Sequence, residues 1–202
     1  YFFREPQQLR AFSEELLPRL AEQKARTRRL RIWSAGCSTG EEAYTIAMLL
    51  LESRLFLGWD VEILGSDISR KVLAAARKAC YQKSALRQAP AEMVDRYLRF
   101  EPGAGWSVVD QVRSMVTFGH MNLLAENTMS LIGRTDVIFC RNVMIYFDLA
   151  ARRRVLRSFH DRLSDGGYLL LGHSESLINV TADFELVHLE NDLVYRKPVP
   201  GG

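Results

Sequence analysis

An apolar run that ends in a glycine turn and restarts as a helix constrains this chain more than any other stretch. Leu30 to Ala35 reads as a buried strand, and Gly36 and Gly40 bracket a turn with little side-chain bulk. A helical pattern begins at Glu41 and runs through Ile46, Leu49, Leu50 and Leu51. Strand, glycine loop and helix in that order open an α/β sheet, and ligands of such sheets sit beyond the carboxyl ends of the strands. Glycine lets a backbone approach a ligand closely and take positive φ.

The spacing of the turn is G-x-x-x-G, neither the G-x-G-x-x-G of dinucleotide enzymes nor a Walker loop ending in G-K-[ST]. Glu41 and Glu42 suit the positive end of the helix dipole, and they repel a pyrophosphate placed there. Two readings follow. The turn is a plain strand-to-helix connection, or it cradles a ligand without phosphates and with positive charge. S-adenosylmethionine (SAM), with its ammonium and sulfonium groups, meets the second description.

The remaining elements support a sheet with a ligand crevice. Trp59 to Ser66 reads as a second strand ending at Asp67, where an acid is placed either to accept two ribose hydroxyls or to cap the helix expected over residues 69–80. Val116-Thr117-Phe118 and Thr135 to Cys140 read as further strands, the latter fully buried. Asn122 with Leu123 follows one strand end; Arg141, Asn142 and Tyr146 follow the other and become site candidates. Helix is expected over residues 6–25, kinked by Pro18, and from Asp148 to Leu163, with Arg152, Arg153, Arg154 and Arg157 on its wet face. Asp165-Gly166-Gly167 reads as a turn into strand Tyr168 to Leu171. A closing hairpin turns at Asn191-Asp192. Residues 81–115 break the βα rhythm and read as a small inserted unit with its own hairpin, carried on the main sheet. The basic segment Gln23 to Arg31 reads as a solvated linker or as a surface for an acidic partner.

Length and composition narrow the class. A chain of 202 residues suits one α/β domain with a small insertion. A net charge of +3 gives no argument for nucleic acid. Three scattered cysteines, Cys37, Cys80 and Cys140, offer no zinc spacing and fit a reducing cytoplasm. No metal site and no membrane insertion are expected, since no apolar run approaches the ~20 residues a span needs. A start at Tyr1 without Met is the expectation for a domain cut from a longer protein.

Taken together, Phe2-Phe3-Arg4-Glu5, the loop from Trp33 to Thr45, Ser66-Asp67-Ile68, Asn122-Leu123-Leu124, the string Ile138 to Phe147 (IFCRNVMIYF) and Gly172-His173-Ser174-Glu175 resemble the CheR family of chemoreceptor glutamate methyltransferases. The resemblance covers nearly the whole chain. It implies a Rossmann-like class I SAM-dependent methyltransferase, with a mostly parallel seven-stranded α/β sheet, a C-terminal antiparallel hairpin and a small inserted β subdomain. It implies a helical lead-in over residues 1–29 and a methyltransferase domain over 30–202, carrying the insertion at about 81–115. It also implies a cytoplasmic monomer that esterifies glutamates on the helical bundle of chemoreceptors and releases S-adenosyl-L-homocysteine. Carried over by position, Arg4 reaches the cofactor and acceptor region, Gly36 binds the cofactor, and Glu42 and Asp67 hold its ammonium end and its ribose respectively. Asn122 and Leu123 flank the adenine, Arg141 and Asn142 line the cofactor pocket, and Tyr146 stands near the transferred methyl. His173 is the histidine nearest to such a site in this reading.

Two departures stand out. The threonine of the family's Thr-x-Phe-Phe-Arg motif falls before Tyr1, as does its receptor-binding helical domain. The turn at Pro102-Gly103-Ala104-Gly105 is shorter than the glycine-rich loop of members that dock a receptor tail peptide, so the chain resembles the tail-independent members. Rival readings are a SAM-binding sensor or scaffold domain, a methyltransferase with another acceptor and, with the wrong glycine spacing, a nicotinamide dehydrogenase.

Overall fold

The computed structural model describes residues 1–125 and 132–199. Among the described residues ten strands, β1 (Arg29–Ala35), β2 (Asp60–Asp67), β3 (Cys80–Tyr81), β4 (Leu98–Glu101), β5 (Gly105–Val108), β6 (Val116–His120), β7 (Thr135–Cys140), β8 (Leu163–Leu171), β9 (Glu185–His188) and β10 (Leu193–Arg196), form two sheets. The larger runs β6-β2-β1-β7-β8-β10-β9 and is parallel as far as β8, with β10 and β9 antiparallel. Strand order reverses at β1, whose neighbours are β2 and β7. That switch point opens a crevice at the carboxyl ends of β1 and β7.

The central strands are buried on both faces, which is why they read as continuous apolar runs. Leu30, Ile32, Val137, Phe139, Tyr168 and Leu170 point into one core; Trp33, Ala35, Ile138, Cys140, Leu169 and Leu171 point into the other. The first core is closed by α3 (Glu41–Ser53) and by a helical run from Pro6 to Lys24, the second by α7 (Leu149–Arg162). Phe12 meets Phe139 edge-on at 5.0 Å, and Trp33 meets Phe159 at 5.1 Å, a geometry that aromatic pairs favour.

Pro18 leaves its mark on the first helical run. It divides into α1 (Pro6–Arg10), a π-helical segment at Ala11–Leu16 and α2 (Leu17–Lys24). The N–H of Leu17 reaches the carbonyl of Phe12, five residues back. A proline ring clashes with the carbonyl four residues before it, here Glu14, and the wider turn makes room. The basic segment that follows connects α2 to β1 through an exposed turn over residues 25–28, and several of its cations are paired. Lys24 pairs with the buried Asp136, Arg29 and Arg31 with Asp60, and Arg31 also with Glu62.

Three other expectations shift. The helix over 69–80 is α4 (Arg70–Lys78): Ser69 caps it, and Ala79 at φ 53° ends it so that Cys80 can start β3. The inserted unit builds its own antiparallel sheet, β3-β5-β4, with α5 (Ala91–Tyr97) before β4 and α6 (Asp110–Arg113) leading back to β6. Strand β8 begins at Leu163, and the Asp165-Gly166-Gly167 turn is an irregularity inside it, where Thr135 faces Leu163 but Val137 already faces Tyr168. Helix α7 starts where expected, with Asp148 accepting the N–H of Ala151 at 2.7 Å. Arg153, Arg154 and Arg157 are exposed as expected, whereas Arg152 turns back to the carbonyls of Met144 and Phe147.

Candidate active site

The loops after β1, β2, β6 and β7 enclose a cleft of about 670 Å³ that also takes in the start of the chain. All nine candidate residues line it: Arg4, Gly36, Glu42, Asp67, Asn122, Leu123, Arg141, Asn142 and Tyr146.

The glycine loop is built by close approach. Gly36 has φ +80°, and a Cβ there would lie 2.4 Å from a methyl of Val143, so no side chain fits. The amides of Gly36 and Cys37 both donate to the carbonyl of Ser66, at 2.8 and 2.9 Å, and tie the loop to the end of β2. Asp67 completes the tie. One carboxylate oxygen accepts the N–H of Ser38 and the other that of Ser69, each at 2.9 Å. Asp67 therefore supports the helix start through Ser69, which is the cap itself. Each carboxylate oxygen keeps acceptor capacity toward the cleft.

Glu42, in the first turn of α3, accepts from Ser34 Oγ at 2.7 Å and from Arg141 Nε at 2.7 Å. Arg141 is buried, and its guanidinium also donates to the carbonyl of Arg4 at 2.9 Å and to Gln8 Oε1 at 3.4 Å. Glu5 lies 3.6 Å from the same guanidinium. Arg141 thus clamps the segment around Arg4 against the sheet. That segment is strained: Phe3 and Glu5, on either side of Arg4, take φ 54° and 57°, a conformation that persists only when surroundings over-determine it. Phe2 N–H bonding to Ala85 and Phe3 N–H bonding to Thr45 complete the anchoring. The side chain of Arg4 stays exposed at the cleft.

On the far side, Asn142 sits in the left-handed region at φ 60°. Tyr146, in a short 3-10 turn at Met144–Tyr146, is 80% exposed at the mouth. Leu123 is buried, and the Asn122 carboxamide accepts the N–H of Leu124 at 3.0 Å. His173 does not join them; it pairs with Asp192 at 3.3 Å, outside the residues lining the cleft.

Sequence reading missed several contributors. Cys37 lines the cleft, and burial, reinforced by the charges of Asp67 and Glu42, pushes its thiol far up, so it stays protonated. Tyr81 of the inserted unit donates to the carbonyl of Thr39 at 2.7 Å and holds the glycine loop from outside. Ile68 and Val143 add apolar wall. Periodicity carried no signal for these, because their partners lie far away in sequence.

The cleft has the chemistry for SAM. Glu41, Glu42 and Asp67 supply carboxylate acceptors for ammonium and hydroxyl donors, and Leu123 and Ile68 supply apolar surface. The family model "CheR methyltransferase, SAM binding domain" matches residues 1–193. Chemotaxis protein methyltransferase 2 of Vibrio cholerae is 36% identical over 202 residues, 100% of this chain and 70% of that protein. The chemotaxis protein methyltransferase of Borreliella burgdorferi is 39% identical over 181 residues, 88% of this chain and 64% of its own length. An uncharacterized 104.1 kDa protein of Rhodobacter capsulatus is 33% identical over 188 residues, which make up 19% of it. An O-methyltransferase family structure from Burkholderia thailandensis shares the fold at TM-score 0.51 and 13% identity, over 95% of this chain and 60% of that one.

The fold and the cleft are those of a class I SAM-dependent methyltransferase, with SAM as cofactor. The chain belongs to the CheR methyltransferase family.

Proposed function

We propose that this methyltransferase esterifies glutamate side chains on the cytoplasmic helical bundle of chemoreceptors, as part of adaptation in chemotaxis, and that it works as a cytoplasmic monomer. The observation that carries the reading is Arg4. Its backbone is fixed by Arg141 and by strained neighbours, while its guanidinium is left exposed at a cleft whose other charged groups are acidic or already paired. A guanidinium carried on a fixed backbone is suited to bind a carboxylate through paired hydrogen bonds.

In this reading Glu42 holds the ammonium end of the cofactor beside Gly36, and Asp67 holds the ribose hydroxyls. Asn122 and Leu123 flank the adenine, and Arg141 and Asn142 shape the pocket between. When bound, SAM supplies a sulfonium methyl that a carboxylate oxygen displaces. A glutamate with pKa ≈ 4.3 is already ionised at neutral pH, so no general base is needed. The neutral Cys37 thiol fits a site without a protein nucleophile. Arg4 orients the acceptor, and Tyr146 hydrogen-bonds it or walls off the methyl. Their work is alignment and exclusion of water. Among the described residues no helix is long and apolar enough to cross a membrane.

Transfer of labelled methyl from SAM to a receptor signalling fragment, scored as base-labile ester, tests the proposal. Label that disappears when the acceptor glutamates become alanine supports it. SAM binding without label overturns it in favour of a sensor or scaffold domain, a reading favoured by the occurrence of this region as 19% of the Rhodobacter protein.

A further inference from the structure

We infer that Glu175, outside the cleft, is a positioning residue that sets the two halves of the loop after β7 through its two separate oxygens. The proposal rests on the roles given above to Asn142 and Tyr146.

Glu175 follows β8, in a different loop from Asn142 and Tyr146. Its carboxylate gathers three backbone N–H groups. Oε2 accepts from Asn142 and from Gly172, both at 2.8 Å, and Oε1 accepts from Ile145 at 3.3 Å. One side chain therefore joins the loops at the ends of two neighbouring strands, β7 and β8. The approach is close enough to require glycine at 172: a Cβ there would lie 2.8 Å from the Asn142 carboxamide nitrogen and 3.0 Å from Glu175 Oε2.

The loop it holds needs holding. Asn142 is in the left-handed region at φ 60°, and Tyr146, whose N–H bonds back to the Val143 carbonyl at 3.2 Å, is 80% exposed. Arg141, one residue earlier, is gripped from the opposite flank by Glu42 at 2.7 Å. Two carboxylates thus bracket the end of β7. Glu42 fixes the side toward Arg4, and Glu175 fixes the side toward Tyr146. The buried Cys140 thiol feels both, since the charges of Glu175 and Glu42 add to the effect of burial in raising its pKa. Glu175 is in turn steadied by its own loop, where its N–H donates to the Gly172 carbonyl at 2.8 Å and Leu177 N–H bonds to Tyr195 Oη at 3.1 Å.

The division of labour between the oxygens makes the idea separable from simple stability. Oε2 serves Asn142, on the cofactor side. Oε1 serves Ile145, next to the residue assigned to the acceptor side. Glu175→Gln can keep its carbonyl on Asn142 and Gly172, but it then turns an amide NH2 toward the Ile145 N–H, two donors face to face. Glu175→Ala releases both.

The experiment is calorimetric titration of wild type, Glu175→Gln and Glu175→Ala with S-adenosylhomocysteine, together with amide hydrogen exchange on the ligand-free proteins and kcat for methyl transfer. The expected result for Glu175→Ala is Kd raised about tenfold, with faster exchange at both Asn142 and Ile145. For Glu175→Gln it is Kd within about threefold of wild type, faster exchange at Ile145 alone and kcat lowered about tenfold. Equal Kd and equal exchange in all three proteins would overturn the proposal. So would losses in both variants that match only the unfolded fraction measured by circular dichroism. Binding and exchange do not depend on the acceptor, so a failure of the glutamate assignment leaves the assignment of Glu175 separately tested.

Discussion

Arg141 Nε and Glu42 Oε2 meet at 2.7 Å although 99 residues separate them in the chain. Through this pair the end of β7 is locked to the first turn of α3, and Nη1 of the same guanidinium holds the carbonyl of Arg4. Removing Arg141 takes the guanidinium from the half-buried Glu42, which keeps Ser34, and releases the carbonyl of Arg4, a combined loss of about 3 kcal/mol. Arg141→Ala is expected to lower stability by about that amount in urea denaturation. Adding Glu42→Gln should restore part of it. A single variant as stable as wild type would remove the clamp from the account of the fold.

Gly36 tests the closeness of the glycine loop. Gly36→Ala places a Cβ against Val143 and asks alanine to take φ +80°. The left-handed conformation costs about 1–2 kcal/mol for an L-residue, before any clash is counted. Thermal unfolding should show the loss. Val143→Ala in the same chain should recover the steric part and leave the backbone part, a coupling that a double-mutant cycle reads directly. Additive effects would mean that the loop moves away from Val143 instead.

Arg4 is exposed, so its loss should hardly touch folding. Arg4→Ala is expected to unfold within about 0.5 kcal/mol of wild type. It should bind SAM with a modest loss, yet transfer methyl at a rate reduced by at least about a hundredfold, a loss of roughly 3 kcal/mol in the transition state. Activity within a factor of two of wild type would show that Arg4 does not orient the acceptor.

Alkaline pH should expose two buried phenols. Burial pushes Tyr44 up to about 12, and burial together with the hydrogen bond to Glu52 pushes Tyr97 up to about 12. Both are neutral when protonated, and their unfolded value is near 10. Their contribution is therefore complete below about pH 10 and is lost as pH rises from there toward 12, by about 2 kcal/mol per group. The urea midpoint should fall between about pH 10 and pH 12. Tyr44→Phe should fall less steeply over the same interval, and a parallel decline would assign the loss to other groups.

The sheet was legible because burial on both faces writes itself as unbroken apolar runs: Leu30 to Ala35 and Thr135 to Cys140 are strands very near those limits. The cleft was legible because polar residues after such runs have few other places to face, and Asp67, Asn122, Asn142 and Tyr146 all reach it. The support beneath it was hidden. Glu175 was visible as part of a motif, but nothing in its neighbours reveals that its partners are backbone amides 30 and 33 positions away. Lys24 and Arg31 looked free because Asp136 and Glu62 come from other strands. The π-helical segment before Pro18 registers in the sequence as a disturbed helix, since a sequence shows where a helix is disturbed but not how the turn relaxes.

The turn between β4 and β5 has a consequence of its own. Gly103 has no atom within 4 Å of where a Cβ would stand, and the small sheet it crowns is spliced between α4 and β6, apart from the main sheet. Doubling the length of such a loop costs only about 0.6 kcal/mol. Evolution can therefore lengthen, shorten or decorate this tip while the main sheet that carries the cleft stays as it is.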